Sequence, residues 1–277
     1  MFDGSGQLIV FFNGLSWYLS SFSRILLSMD TQQLKFLVFH KLNDLGFVKL
    51  TFFEIALICG LIYYAGFVNV VVLLQLVPLV IAVVLHEVAH AYVANTFGDP
   101  TAKNLGRITL NPLPHVDPLG TVLLPMILIF TGSGFLIAWA KPVPVNPNYF
   151  KEPVKEMMWV ALAGPLTNFS IAIVCSILYK VLLPFFSGAD TANWVIYSRY
   201  FLQYSVLINL VLGIFNLFPI PPLDGSKILT YFLPIRLRPI IYRLENYGML
   251  LIFLFAFLGF FGSVLSVVIP PLLRVLL

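Results

Sequence analysis

Long apolar runs constrain the fold of this chain more than any other feature of its sequence. Five runs approach or exceed the roughly 20 residues that cross a hydrocarbon core, and they occupy residues 50–66, 69–85, 156–179, 201–218 and 247–269. Only 10% of the 277 residues are charged, whereas a soluble domain has roughly 25%. The sequence therefore predicts an all-α polytopic membrane protein with about six transmembrane helices.

Charge and cysteine content exclude some classes of partner and cross-link. The net charge of +4 comes from only 16 basic residues, and in membrane proteins such residues report orientation, so we expect a lipid bilayer and no nucleic acid as partner. The two cysteines, Cys59 and Cys175, lie within apolar runs. They are interpreted as small buried hydrophobic residues and not as a disulfide or metal ligands.

One short motif at the end of an apolar run indicates metal chemistry. His86-Glu87-Val88-Ala89-His90 matches H-E-x-x-H, in which two histidines four apart share one helix face and can bind the same ion. Glu87 is then placed to take a proton from a water that zinc has acidified to a pKa of about 7. Ionisable side chains at membrane depth are costly, so the cluster is predicted to be functional.

A catalytic zinc usually has three protein ligands, so a third ligand must come from elsewhere in the chain. The candidates in or near apolar segments are Glu54, His115, Asp117 and Asp224. Asp224 stands out because it follows the proline-rich break 216–223, and an opened helix is tolerated at membrane depth where protein or a wet cavity satisfies it. His115 and Asp117 remain alternatives, as a second metal site or as residues that fix a loop.

Topology follows from the requirement that His86 and Asp224 meet at one depth. Both residues lie late in their helices, so the two helices must cross the bilayer in the same direction. A full crossing by residues 119–140 would place the two ligands on opposite faces. We therefore predict a re-entrant segment that turns near Gly132 and Gly134, followed by an extended or β element at 141–147, where alternating prolines exclude helix.

The placement of basic residues agrees with this topology. A re-entrant segment collects 12 of the 16 basic residues on one face, and positive charge marks the cytoplasmic side. These are Lys35, Lys41, Lys49, Lys103, Arg107, Lys141, Lys151, Lys155, Lys227, Arg236, Arg238 and Arg243. We expect a multi-pass protein of a bacterial or archaeal plasma membrane, with its active site nearer the cytoplasmic face.

The chain divides into two predicted regions. Residues 1–48 form an N-terminal segment whose apolar stretch 7–28 either lies in the membrane interface or adds a span, and the sequence does not separate the two. Residues 49–277 form the catalytic core. Its predicted elements are a zinc-binding helix at 69–97, a re-entrant region at 119–147, helices at 154–184 and 199–220, and a C-terminal helix at 246–277.

Several motifs between residues 70 and 230 resemble the site-2 protease family of intramembrane zinc metalloproteases, in a minimal form without an inserted PDZ domain or a nucleotide-sensing domain. Besides the H-E-x-x-H motif, they are Phe97-Gly98-Asp99-Pro100-Thr101-Ala102, the stretch 111–121, Lys141-Pro142-Val143-Pro144-Val145-Asn146, Ala163-Gly164-Pro165-Leu166-Thr167-Asn168 and the stretch 216–225. The resemblance implies one zinc ion held by His86, His90 and Asp224, with Glu87 as catalytic base. It also implies that Asn168 and Asn216 hold the substrate strand or its carbonyl.

The resemblance implies regulated intramembrane proteolysis, in which a membrane-spanning protein substrate unwinds beside the zinc. Val143 and Val145 are predicted to offer a strand edge to the opened backbone, as in β-augmentation. The alternative functions are a non-catalytic zinc-binding membrane protein and a metal transporter, although a transporter usually has two related halves. A protease acting on prenylated tails is another alternative, but it usually needs a glutamate as the third ligand. Substrate, activating signal and oligomeric state are not encoded in any motif.

Overall fold

The computed structural model describes residues 70–123, 127, 139–186 and 193–277. The predictions for the N-terminal segment 1–48 and the apolar run 50–66 lie outside these residues. The described residues fall into two units: a helical core, made of residues 70–110 and 142–277, and a loop unit, made of the described residues of 111–141.

The helical core contains eight α-helices among the described residues. They are α1 (Val70–Thr96), α2 (Thr101–Asn104), α3 (Pro153–Leu182), α4 (Asn193–Asn216), α5 (Asp224–Phe232), α6 (Arg238–Glu245), α7 (Gly248–Phe257) and α8 (Phe260–Leu276). The predicted all-α class is confirmed for this part of the chain. Four of the basic residues assigned to the cytoplasmic face, at 227, 236, 238 and 243, lie in or between α5 and α6.

The predicted β element after the zinc-binding helix is not a strand. Residues 139–146 have no regular secondary structure, and a 3₁₀ turn follows at Pro147–Tyr149. Three prolines at 142, 144 and 147 lack the N–H that a sheet ladder needs. The segment is extended at Asn146, with φ −111° and ψ 101°, but it pairs with no strand in the described part of the chain.

Three helices are long and apolar enough to cross a membrane, namely Leu74–Thr96 of α1, α3, and Trp194–Asn216 of α4. Helices α6 and α7 meet at 80° and together could make a fourth span. The protein is therefore an integral membrane protein with three or four candidate spans in the described residues. This count is below the predicted six, and the run 50–66 is not among the residues described.

Helix α1 ends in a glycine-based cap. The amide of Gly98 donates to Asn95 O, and the amide of Asp99 donates to Ala94 O. Gly98 has φ +101°, a left-handed conformation that glycine adopts without strain. These two bonds are those of the Schellman motif, which satisfies the last helix carbonyls. The cap turns the chain sharply and brings Asp99 into the interior.

The other helix boundaries follow from prolines and glycines. Helix α4 ends at Asn216, before Pro219, so the predicted helix 199–220 stops four residues early. The predicted single helix 246–277 is two helices, α7 and α8, separated at Gly259. Gly259 has φ +70°, which an ongoing right-handed helix cannot contain.

Helices α1, α3 and α4 pack against one another and form the centre of the core. Small residues allow this approach, since Ala82, Ala91 and Ala94 of α1 are fully buried. Helix α5 packs on α3, and α8 packs on α4. The interior also contains two fully or almost fully buried side-chain amides, Asn168 and Asn209, and Asn168 contacts the predicted metal ligand His86.

The loop unit begins with a 3₁₀ turn at Leu113–His115 and a π-helical turn at Pro118–Leu123. Asp117 Oδ1 accepts hydrogen bonds from the amides of Leu119 and Gly120, at 2.9 and 2.7 Å, which is the usual role of an aspartate at a turn. The amide of Trp139 donates to Gly120 O at 3.2 Å. The two ends of the stretch between Gly120 and Trp139 are thus adjacent.

Candidate metal centre and active site

Helix α1 presents both histidines of the H-E-x-x-H motif on one buried face. His86 and His90 have relative exposures of 6% and 8%, and their ring centroids are 4.6 Å apart. The neighbouring helix α3 contributes Gly164 at this point. A Cβ atom there would lie 2.5 Å from His86 Cε1 and from His90 Nε2. Gly164 is therefore the residue that leaves room for the two imidazoles between the helices.

Asp224 reaches the histidine pair from the start of α5. Its Oδ2 atom lies 3.2 Å from His86 Nε2 and 3.3 Å from His90 Nε2. The turn before it is tight, because a Cβ atom on Gly225 would lie 2.2 Å from Leu217 O. Residues 217–223 thus fold back closely on the end of α4. The break between α4 and α5 therefore brings the Asp224 carboxylate next to the two imidazoles of α1.

A backbone carbonyl sets the tautomer of His90. Its Nδ1 atom lies 2.7 Å from Val160 O in α3. A carbonyl oxygen can only accept, so the proton is on Nδ1 and the lone pair of the neutral ring is on Nε2. Such a partner on the second ring nitrogen is the arrangement commonly found around metal-binding histidines.

A chain of side-chain amides sets the tautomer of His86 in the same way. Asn209 donates its amide hydrogen to Ser205 O at 2.9 Å, so its Oδ1 faces Asn168 and accepts from Nδ2 of Asn168 at 2.9 Å. Asn168 Nδ2 also donates to Ala82 O at 3.3 Å. The Oδ1 atom of Asn168 is then left to accept from His86 Nδ1 at 2.6 Å. The backbone carbonyls of Ser205 and Ala82 can only accept, and this fixes the direction of every hydrogen bond from Asn209 through Asn168 to His86.

These tautomers make the three inward-facing atoms a fitting set for a metal ion. The Nε2 atoms of His86 and His90, each with a lone pair, lie 3.0 Å apart. Asp224 Oδ2 is a buried oxygen that accepts no hydrogen bond. Ligands about 2.0–2.2 Å from a tetrahedral zinc ion lie about 3.3–3.6 Å from one another, close to the observed 3.0–3.3 Å. Among the residues described, these three form the one group of histidine, cysteine or acidic side chains that could hold an ion.

Glu87 contacts the extended segment that follows the loop unit. Its Oε2 atom accepts a hydrogen bond from the amide of Val143 at 2.8 Å. The buried Arg107 lies near enough to interact electrostatically with Glu87. Burial lowers the pKa of the Arg107 guanidinium, and the charge of Glu87 acts in the opposite direction. The Glu87 carboxylate therefore has a backbone donor and the field of a nearby buried cation.

The other predicted site residues among those described include Asn168, Asn216, Val145 and His115. Both amide hydrogens of Asn168 are donated within the core, as described above. Asn216 donates one amide hydrogen to Leu212 O, in its own helix, at 3.0 Å. Val145 packs against the cluster of Ala94, Phe150 and Val160. His115, almost fully buried at 2% exposure, belongs to the loop unit, where its carbonyl accepts from Lys141 N at 2.9 Å.

Sequence reasoning missed Asn209, which completes the amide chain behind His86. It is a polar residue at 1% exposure within the apolar helix α4. Polar residues at such positions commonly make interhelical hydrogen bonds, so the signal was present in the sequence. Its partner could not be read there, because Asn168 lies 41 residues away.

Comparison with known proteins agrees with this geometry. The family model described as Peptidase family M50 matches residues 74–259. The chain is 39% identical over 195 residues to "Putative zinc metalloprotease YwhC" of Bacillus subtilis (strain 168), which covers 68% of this chain and 81% of that protein. It is 33% identical over 146 residues to Rip2 of Mycolicibacterium smegmatis, which carries the same type of name, covering 51% of this chain and 50% of Rip2.

An archaeal relative, "Zinc metalloprotease MJ0392" of Methanocaldococcus jannaschii, is 29% identical over 156 residues, with 56% of this chain and 33% of that protein covered. No solved structure matches the chain. The family match covers well over half of the 277 residues and includes all three convergent side chains. The chain belongs to peptidase family M50, the site-2 protease family, and is a zinc metalloprotease of the membrane.

Proposed function

We propose that this protein hydrolyses a peptide bond in or near a transmembrane helix of a membrane-spanning protein substrate, with His86, His90 and Asp224 holding one zinc ion. The observation that carries the proposal is that three atoms with free lone pairs, Nε2 of His86, Nε2 of His90 and Oδ2 of Asp224, lie within 3.3 Å of one another in the protein interior. A zinc ion bound there supplies a Lewis acid that activates water and polarises a carbonyl.

Glu87 is proposed as the general base and acid. Its carboxylate takes the proton of the attacking water and later gives it to the leaving amine. The amide of Val143 orients one oxygen of this carboxylate, which leaves the other oxygen for the proton transfer. General acid–base catalysis of this kind contributes about 10²–10⁴-fold in rate.

The substrate backbone is proposed to pair with the extended segment around Val143 and Val145. The amide of Val143 is already bonded to Glu87, and the prolines have no N–H. Apart from the Val145 amide, carbonyl oxygens are therefore the groups that this segment offers, and an unwound substrate would donate its amides to them. Asn216 keeps one amide hydrogen beyond its bond to Leu212 O, and we assign it to the substrate carbonyl. The Asn168 amide is used within the core, so its proposed role shifts from the substrate to the orientation of His86.

The re-entrant topology with about six spans is retained as part of the proposal. Its support comes from the loop unit, where Thr121 Oγ1 donates to Trp139 O at 2.7 Å and Lys141 N donates to His115 O at 2.9 Å. Ends that meet in this way are those expected of a segment that enters and leaves on one side. The distribution of basic residues supports the cytoplasm as that side, and the bacterial and archaeal relatives support a plasma membrane of such a cell.

The direct test is Glu87→Gln in the purified full chain, with a single-span helical protein as model substrate. We expect cleavage to fall by about 10²–10⁴-fold while the zinc content stays unchanged. This result also separates the protease from a zinc-binding scaffold or a transporter, neither of which cleaves the substrate. Undiminished cleavage by Glu87→Gln would show that the base is another residue.

A second test addresses the topology. A cysteine at Ser133 is labelled with a membrane-impermeant thiol reagent from either side of oriented vesicles. We expect labelling from the cytoplasmic side only. Access from the outside alone would contradict the re-entrant segment and, with it, the cytoplasmic position of the site.

A further inference from the structure

Asp99 is a buried carboxylate outside the metal centre, and its contacts reach towards the active site. It has 0% exposure and follows the left-handed Gly98 at the end of α1. One oxygen, Oδ1, accepts from the amide of Thr101 at 2.9 Å and from the Thr101 hydroxyl. The other, Oδ2, accepts from the amide of Asn146 at 2.7 Å. The metal centre uses none of these bonds.

The second group that holds the same segment is Arg107. Its Nη2 atom donates to Pro142 O at 3.3 Å. Residues 142–146, called the active-site strap below, are thus held near one end by Arg107 and at the other by Asp99. Between these two points the amide of Val143 donates to Glu87.

The composition of the strap makes these contacts more significant. Prolines at 142 and 144 carry no N–H, so the strap has three backbone N–H groups, on Val143, Val145 and Asn146. Two of the three are donated to carboxylates, one on Glu87 and one on Asp99. A buried carboxylate costs free energy unless several donors satisfy it. Thr101 supplies two local donors to Asp99, and the strap supplies the third through the Asn146 amide.

We propose that Asp99 is a positioning residue of the active site: it anchors the strap at Asn146 so that the Val143 amide holds the Glu87 carboxylate in place. This inference rests on the proposed role of Glu87 as the base. It gives a function to the Gly98-Asp99-Pro100-Thr101 sequence, which joins the end of the metal-binding helix to the strap. It also explains why the strap lies beside Glu87 without belonging to a sheet.

The substitution Asp99→Asn tests the anchor selectively. An asparagine oxygen can still accept from Thr101, but its NH₂ group faces the Asn146 amide, and two donors cannot bond. We expect kcat for the single-span substrate to fall about tenfold, as for loss of one hydrogen bond to a charged group, with KM and zinc content unchanged.

The matched control is Thr101→Val. It removes the hydroxyl that donates to Asp99 Oδ1 and leaves Oδ2 and its bond to Asn146 intact. We expect a similar loss of thermal stability to that of Asp99→Asn, but a kcat within about twofold of the native value. An equal loss of kcat in both variants would show that the loop as a whole, and not the anchor, affects the rate.

Coupling to Glu87 is tested with Val143→Pro, which removes the amide hydrogen that Glu87 accepts and suits an extended backbone. If Asp99 acts through this amide, Asp99→Asn lowers kcat little further when Val143→Pro is already present. Losses that multiply in the double variant would overturn the proposed route.

Hydrogen exchange of the full-length, zinc-loaded protein provides a readout that needs no substrate. Asp99→Asn should raise exchange at both Asn146 and Val143 by about tenfold, whereas Thr101→Val should raise neither. A rise at Asn146 alone would overturn the coupling, even if the protease function is correct. If Asp99→Asn loses its zinc and does not fold, Asn146→Pro removes the same hydrogen bond from the donor side, and the same rise at Val143 is expected.

Discussion

The two halves of the metal centre are built in different ways. The histidine half comes from one continuous helix, α1, in which residues four apart share a face. The carboxylate half comes from a broken helix, where α4 stops at Asn216 and α5 starts at Asp224. The first arrangement is local in sequence, and the second depends on the packing of the chain between the two helices.

The packing behind the carboxylate half is aromatic. Phe218 and Leu223, near the two ends of the segment between α4 and α5, are buried against Ile252 of α7 and Phe261 of α8. The Phe218 and Phe261 rings are 5.1 Å apart and nearly perpendicular, a favourable edge-to-face geometry. The comparison teaches that the imidazoles need room and hydrogen-bond partners from the neighbouring helices α3 and α4, whereas the carboxylate needs a rigid support from the distant helices α7 and α8.

The largest effect is expected where that support is tightest. Gly225→Ala places a Cβ atom 2.2 Å from Leu217 O and 2.4 Å from Phe218 O. Backbone oxygens cannot rotate away, so Asp224 must move. We expect zinc content to fall to background and cleavage to fall by about a hundredfold or more, measured by metal analysis and by the single-span substrate.

Gly262→Ala is the matched control, because a Cβ atom there meets nothing within 4 Å. It adds the same methyl group to a nearby helix and should retain zinc and activity. A Gly225→Ala protein with a full zinc content would contradict this difference between the two halves, because the position of Asp224 would then not depend on tight packing.

The histidine half is tested by Gly164→Ala, with a smaller expected effect. The added Cβ atom lies 2.5 Å from both imidazoles, but side chains can shift where a backbone cannot. We expect zinc affinity to fall by about ten- to a hundredfold, determined by competition with a chelator of known affinity. Equal zinc affinity in native protein and Gly164→Ala would mean that the imidazoles are not confined by α3.

The smallest effects are expected in the amide chain behind His86. Asn168→Leu removes the acceptor of the His86 Nδ1 proton and should weaken zinc binding by about tenfold. Asn209→Leu removes the next member only and should weaken it by about threefold, the usual size of a polar contact between membrane helices. The same chelator competition measures both. A larger loss of zinc affinity in Asn209→Leu than in Asn168→Leu would contradict the order of hydrogen bonds from Asn209 to Asn168 to His86.

The sequence predicts the local parts of this architecture well. His86, Glu87 and His90 follow from a five-residue motif, and the prolines after Asn216 indicate a helix break that presents Asp224. The family resemblance is confirmed by the match to residues 74–259. These features depend on neighbouring residues or on a shared motif, and both can be read from a single chain.

Other parts depend on contacts between distant residues and could not be read in this way. The orientation of Asn168 is set by Asn209 and Ala82 on two other helices. Residues 141–147 were predicted as an extended or β element; they form no strand, and two of their amides are used by Glu87 and Asp99. The break at Gly259 also escaped prediction, because a lone glycine in an apolar run does not by itself end a helix.

The central claim is that two imidazoles of α1 and one carboxylate of α5 bind the same zinc ion. X-ray absorption spectroscopy at the zinc edge, together with metal analysis of the purified full chain, tests it most directly. We predict one zinc per chain, with two imidazole nitrogens, oxygen ligands and no sulfur, and loss of this zinc in Asp224→Ala. An Asp224→Ala protein that keeps its full zinc with an unchanged spectrum would contradict the account.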